Sequence, residues 1–288
     1  MMRPRYTWHL RTRTLELGER TLLMGILNLT PDSFSDGGLY LAHDAAVAQG
    51  IKLLDDGADL LDVGGESTRP GAEPVSAGEE QARILPVLRA LLQARPGTII
   101  SVDTYHAETA QMAVAAGAEI INDVSGLLWD PDMGTVLAEA QTGAVLMHTR
   151  GVPRQWSGLP ALAPEHVLPL VVGGLARSLE LAEDAGINRS SIVLDPGFGF
   201  GKRGDENFVL LAKMQQLQQF NLPLLAGVSR KRFLTALLAA PSEQDRQIAT
   251  EGAHTAAVLA GAHILRVHAI APARVTAAVA DALLKHTV

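Results

Sequence analysis

Eight places in this chain pair an apolar run with a polar or ionisable residue immediately after it, and the residue types suit recognition of a small polar molecule. Asp103, Asn122 and Asp195 are acceptor-rich, and Lys231 is a donor. Four such groups can bracket a flat heterocycle that bears amide and amine edges. Arg266, His268 and Arg69 add positive charge of the kind a pyrophosphate demands. Asn28 offers a neutral oxygen, suited to a Mg²⁺ ion that keeps its waters and takes other ligands from substrate phosphates. The set describes a polar heterocycle carrying a diphosphate leaving group.

Each residue also has a plainer reading. Asp103 and Asp195 are equally placed to cap a following helix, and Asn122 can serve a turn. His148 reads as a structural strand-end residue, since no second His stands at ligand spacing. Gly197–Lys202 resembles a phosphate cradle, but the spacing before Gly201-Lys202 is wrong and Arg203 stands where a P-loop needs Ser or Thr. Its strictly alternating glycines also fail the dinucleotide fingerprint. No Ser-His-Asp order or HExxH motif occurs. The chain has no cysteine, which excludes disulfides, thiolate metal sites and cysteine nucleophiles.

These residues must be held by regular elements. Apolar runs at 22–27, 60–63, 98–102, 120–121, 144–147, 191–194, 222–226 and 262–267 alternate with Ala/Leu-rich segments at 43–56, 77–94, 106–116, 165–185 and 251–260. Near-continuous apolar runs are those of a parallel sheet covered on both faces. Gly57, Gly117, Gly186 and Gly261 stand where helices stop before the next strand. The corners Asp56–Asp59, Ala116–Glu119 and Ala260–His263 repeat one pattern. The expected fold is a single α/β (β/α)₈ TIM barrel over 22–288, with active groups at the C-terminal strand ends. Residues 1–21 alternate around a Gly turn and are expected to form a hairpin closing the barrel bottom. A net charge of −7 and pI near 5.7 argue against a nucleic-acid partner. No apolar run approaches the roughly 20 residues of a membrane span, and the first ten residues lack an apolar signal core. A cytoplasmic protein is expected.

The stretches Met24–Gly38 and Asp62–Gly71 resemble the two signatures of the dihydropteroate synthases. Ser101–Thr104, Ile121–Asp123, Leu194–Lys202, Ser229–Lys231 and Arg266–His268 follow in that family's order. The resemblance implies joining of a dihydropterin pyrophosphate to p-aminobenzoate in folate biosynthesis, with Mg²⁺ as cofactor, a homodimer, and sensitivity to sulfonamides. It implies that Asp103, Asn122, Asp195 and Lys231 hold the pterin, with Asp103, Asp195 and Lys231 catalytic. Asn28 would bind the metal, and Arg266 and His268 the pyrophosphate. Thr68, Pro70 and Phe200, with Lys231, would line the aminobenzoate site, and Phe34 and Asp36 would fold over it. The fifth loop departs from the family after His148, so no role passes to Thr149 or Arg150, and Arg232 stands where Ser is common. A pterin-dependent methyltransferase on the same barrel is the alternative. It would not need the cations at 229–231 and 266–268. An inactive binding barrel would lack Lys231, Asp103 or Arg266, and all three are present.

Overall fold

The computed structural model describes residues 3–30, 38–67 and 74–286. Phe34, Asp36, Thr68, Arg69 and Pro70 lie outside them. The chain opens with an antiparallel pair, β1 (Tyr6–His9) and β2 (Thr14–Leu17), and then builds a parallel barrel. Its strands are β3 (Leu22–Asn28), β4 (Leu60–Gly64), β5 (Ile100–Asp103), β6 (Ile120–Asp123), β7 (Gly143–Met147), β8 (Ile192–Asp195), β9 (Leu225–Ala226) and β10 (Ile264–Val267). They pair in the order β8-β7-β6-β5-β4-β3-β10-β9. A parallel bridge between Leu194 and Leu224 closes the ring. The eight runs read from the sequence are thus the eight barrel strands. The seventh is cut to two residues because Pro223 has no N–H to give to a ladder.

Among the described residues eight helices wrap the barrel: α1 (Gly38–Asp55), α2 (Ala77–Ala94), α3 (Ala107–Ala115), α4 (Met133–Ala140), α5 (Pro164–Asp184), α6 (Gly204–Lys213), α7 (Glu243–Leu259) and α8 (Ile270–Lys285). Helix α2 shows why they form. Ser76 accepts the Glu79 N–H at 3.3 Å, Glu79 and Glu80 oppose the dipole of the first turn, and Ile84, Val87, Leu88 and Leu91 make a buried stripe. The stop glycines are required by conformation, as at Gly57 (φ +107°) and Gly117 (φ +113°), where a side chain would be strained.

The hairpin turns elsewhere than expected. The reversal is at Leu10–Arg13, closed by the Leu10 N–H on the Arg13 carbonyl at 2.8 Å. Gly18 (φ +106°) instead directs β2 into the barrel, and a Cβ there would fall 2.3 Å from the Pro4 carbonyl oxygen. The hairpin lies under the barrel. Trp8 is fully buried in one apolar cluster with Leu22, Met24, Leu60, Ile120, Val193 and Ile264, all from the lower halves of strands. Its indole N–H donates to the Ser191 carbonyl at 2.8 Å. The chain ends meet beside it: buried Arg3 donates to Asp281 of α8 (2.9 Å), Thr21 (2.8 Å) and the Ala262 carbonyl (2.7 Å). A separate, larger core fills the space between barrel and helices.

Candidate active site at the C-terminal mouth

The strand register gathers the polar residues at one level. Asn28 pairs with Gly64, Gly64 with Asp103, and Asp103 with Asn122, a continuous row across β3 to β6. Gly64 lies against the Asp103 side chain, which a Cβ there would meet at ordinary contact distance, 3.4 Å. On the far side Asp195 ends β8, and Lys231 follows β9. Arg230, immediately before it, sits in the left-handed region (φ 55°) with its N–H on Thr250 Oγ1 at 3.1 Å. A non-glycine residue held there marks a turn fixed by its surroundings.

Arg266 crosses the mouth. Its Nε donates to Asp62 Oδ2 at 2.5 Å and its Nη2 to Asp103 Oδ2 at 2.7 Å. The Asn122 amide donates to the same Asp62 oxygen at 2.9 Å. Asp62 is fully buried, yet its Oδ1 meets no partner among the described residues. A buried carboxylate oxygen without a donor is costly, so the mouth is built to receive one. Asp195 Oδ1 accepts the Gly197 N–H at 2.7 Å. Lys231 Nζ stands 4.3 Å from the centroid of the Phe200 ring, a cation–π contact. His268 donates its backbone N–H to Ser229 Oγ at 3.2 Å, and its Nδ1 lies 3.0 Å from the same hydroxyl.

Three carboxylates (Asp62, Asp103, Asp195) thus face two cations (Lys231, Arg266) in a poorly hydrated space. Burial pushes the Asp195 carboxyl up to about 6, against the Gly197 N–H and Lys231. Burial also raises Asp103. Arg266 opposes the rise, and Asp62 adds to it. Lys231 is pushed down to about 8 by burial and by Arg266. For Arg266 burial disfavours the charge, but Asp62 and Asp103 outweigh it and the guanidinium stays protonated. Perturbed groups of both signs in one concave mouth mark a functional site.

The chain matches the family of pterin binding enzymes over residues 24–268. It belongs to that family. It is 41% identical over 276 residues to the dihydropteroate synthase of Bacillus subtilis, covering 96% of this chain and 93% of that one. The dihydropteroate synthase of Xanthomonas albilineans, solved with 4-aminobenzoic acid, is 40% identical, with a TM-score of 0.88 and coverage of 97% and 98%. The same enzyme in complex with 7,8-dihydropteroate superposes with a TM-score of 0.84. That of Yersinia pestis, in a sulfonamide complex, is 38% identical, with a TM-score of 0.88 and coverage of 97% and 99%.

In this pterin-binding barrel the residues singled out by sequence divide into groups. Asp103, Asn122, Asp195, Lys231 and Arg266 come together in the mouth, with Asn28 in their row and Phe200 against Lys231. Arg266 reaches into the mouth, held by Asp62 and Asp103, with its side chain 19% exposed. His148 is buried and held well below its usual range by burial and nearby Lys202, so it is neutral. Lys202 is no phosphate ligand in this structure: its buried ammonium donates to the carbonyls of Gly197 (2.7 Å), His148 (3.2 Å) and Phe200 (3.2 Å). Asp62 is the residue the reading of strand ends passed over. Its signal was a lone carboxylate inside the apolar strand Leu60–Gly64.

Proposed function

We propose that this pterin-binding enzyme acts as a dihydropteroate synthase. It joins 6-hydroxymethyl-7,8-dihydropterin pyrophosphate to p-aminobenzoate, giving 7,8-dihydropteroate and pyrophosphate on the route to folate. The observation that carries the reading is the unmet Asp62 oxygen beside Asn122, Asp103 and Arg266. A pterin edge, rich in amide and amine N–H groups, supplies what such acceptors need.

Asp103, Asn122, Asp195 and Lys231 bind the pterin ring, and Arg266 orients Asp62 and Asp103 for it. Arg266 and His268 face the diphosphate end. The methylene C–O bond breaks and its electron pair leaves with pyrophosphate. The aminobenzoate nitrogen then adds to the electron-poor methylene and sheds a proton. The carboxylates of the mouth stabilise the positive charge that develops on the pterin. Phe200, held against Lys231, lines the aryl-amine site. Mg²⁺ belongs to this proposal. Asn28 is the protein group suited to it, and no three His, Asp or Glu among the described residues gather into a cage. That donor set fits an ion bound mainly by water and phosphate oxygens. When bound, the metal neutralises charge on the leaving diphosphate.

A homodimer and a cytoplasmic location complete the proposal. Helix α8 exposes Val275, Val279 and Leu283 on one apolar stripe, next to Ile248 and Leu259 of α7. Such a stripe fits a self-complementary interface. No described helix is long and apolar enough to cross a membrane. The test is release of pyrophosphate that requires both the pterin substrate and p-aminobenzoate, with sulfonamides competing against p-aminobenzoate alone. Release without p-aminobenzoate, or noncompetitive inhibition, would overturn the assignment.

A further inference from the structure

The fifth and sixth strand-end loops are interlocked, and the centre of the lock is a tryptophan to which the proposed chemistry gives no task. Trp156 lies in a short 3₁₀ turn (Pro153–Gly158) after β7 and is 6% exposed. Its indole meets the Phe200 ring edge-on, with centroids 5.3 Å apart and planes at 80°. The indole N–H donates to the Gly151 carbonyl at 3.3 Å. The backbones are tied alongside. The Arg150 N–H donates to the Phe200 carbonyl at 3.3 Å, Arg203 to the Ser157 carbonyl at 2.9 Å, and the Leu162 N–H to Glu206 at 2.7 Å. The two loops approach so closely that a Cβ on Gly201 (φ +70°) would fall 2.6 Å from Arg150 and 3.1 Å from Trp156. Lys231 holds the same Phe200 ring from β9.

We infer that Trp156 is a positioning residue, which fixes the plane of Phe200 against Lys231 and so sets the affinity for the aryl-amine substrate. The inference rests on the proposed reaction. The Phe200 side chain turns about its bonds to the backbone unless neighbours fill the space, and Trp156 fills part of it edge-on. An aromatic ring is needed there because an edge-to-face contact uses the positive rim of one ring on the other ring's face. The contact bears directly on Phe200 of the proposed aryl-amine site, so its main effect falls on that substrate.

Steady-state kinetics on Trp156→Leu and Trp156→Phe test this. Trp156→Leu is expected to raise KM for p-aminobenzoate by about 3- to 10-fold, the span of a lost aromatic pair. The KM for the pterin substrate and kcat should hold, and Trp156→Phe should restore most of the loss. An unchanged aminobenzoate KM in Trp156→Leu overturns the inference. So does a parallel rise in both KM values with a lower melting temperature, which would mean general loosening, or a Phe variant no better than Leu. Failure of the wild-type enzyme to release pyrophosphate would instead sink the reaction itself, and the two failures are read from different proteins.

Discussion

The two ends of the barrel interior are made from the same strands and differ in almost everything else. At the lower level Leu60, Ile120, Val193 and Ile264 close on Trp8. Two residues further along the same strands stand Asp62, Asn122, Asp195 and Arg266. At a rise of about 3.3 Å per residue, an apolar layer becomes an ionic one within roughly 7 Å. The lower end satisfies itself: its rings and aliphatic chains pack, and its one buried indole N–H has a carbonyl. The upper end keeps an acceptor unmet and holds more carboxylates than cations. Stability is concentrated at one end and the capacity to bind at the other.

The strongest way to break this comparison is Trp8→Ala. It empties a fully buried ring site and should cost about 3 to 5 kcal/mol in urea unfolding. Turnover per folded molecule, assayed below the transition, should stay unchanged, and a matching loss of kcat would erase the division. Asp195→Asn is the converse. It keeps an acceptor for the Gly197 N–H but removes a charge matched to the transition state. The rate should fall by about 10² to 10³, roughly 3 to 4 kcal/mol, while KM for the pterin substrate changes less. The unfolding midpoint should hold or rise, because a buried carboxylate leaves.

The smallest effect is in pH. The folded-state pKa of Asp195, about 6, lies above its unfolded value near 3.8, so its penalty on the fold is relieved as pH falls through 6. The folded-state pKa of Lys231, about 8, lies below its unfolded value near 10.5, so its penalty is relieved as pH rises through 8. Ligand-free protein should therefore show a shallow stability minimum from these two groups between about pH 6 and 8. In Asp195→Asn the acid side of that minimum should flatten. Unfolding midpoints across pH 5 to 9 check it, and an identical profile in the variant would contradict the assignment.

The barrel was legible because its strands are buried on both faces and read as unbroken apolar runs, while stop glycines such as Gly57 and Gly117 mark the corners. Helices α4, α6 and α8 were less so. α4 is only eight residues long, α6 begins directly on the glycine-rich loop, and α8 carries Pro272 in its first turn. At the mouth, the residues after each run and Arg266 within the last were found, and Asp62 within the second was not. Asp62 inside Leu60–Gly64 and Arg266 inside Ile264–Val267 are two charges in apolar strands. A buried charge needs a partner, and each is the other's. That pairing could have been drawn from the sequence. The Trp156–Phe200 contact could not, since it depends on where two irregular loops cross.

The buried Arg3 ties the first hairpin to α8 across almost the whole described chain. Its carboxylate partner, Asp281, is 278 residues away. At about 5 to 20 residues per second, a ribosome delivers that partner roughly 15 to 55 seconds after Arg3. Until then the guanidinium has no carboxylate to pair with, and β10, the neighbour of β3, is itself made only shortly before. The ionic tie of the hairpin to α8 is therefore made last, after Trp8 has its apolar partners. Removal of α8 would leave the Arg3 guanidinium buried without its carboxylate, a costly arrangement.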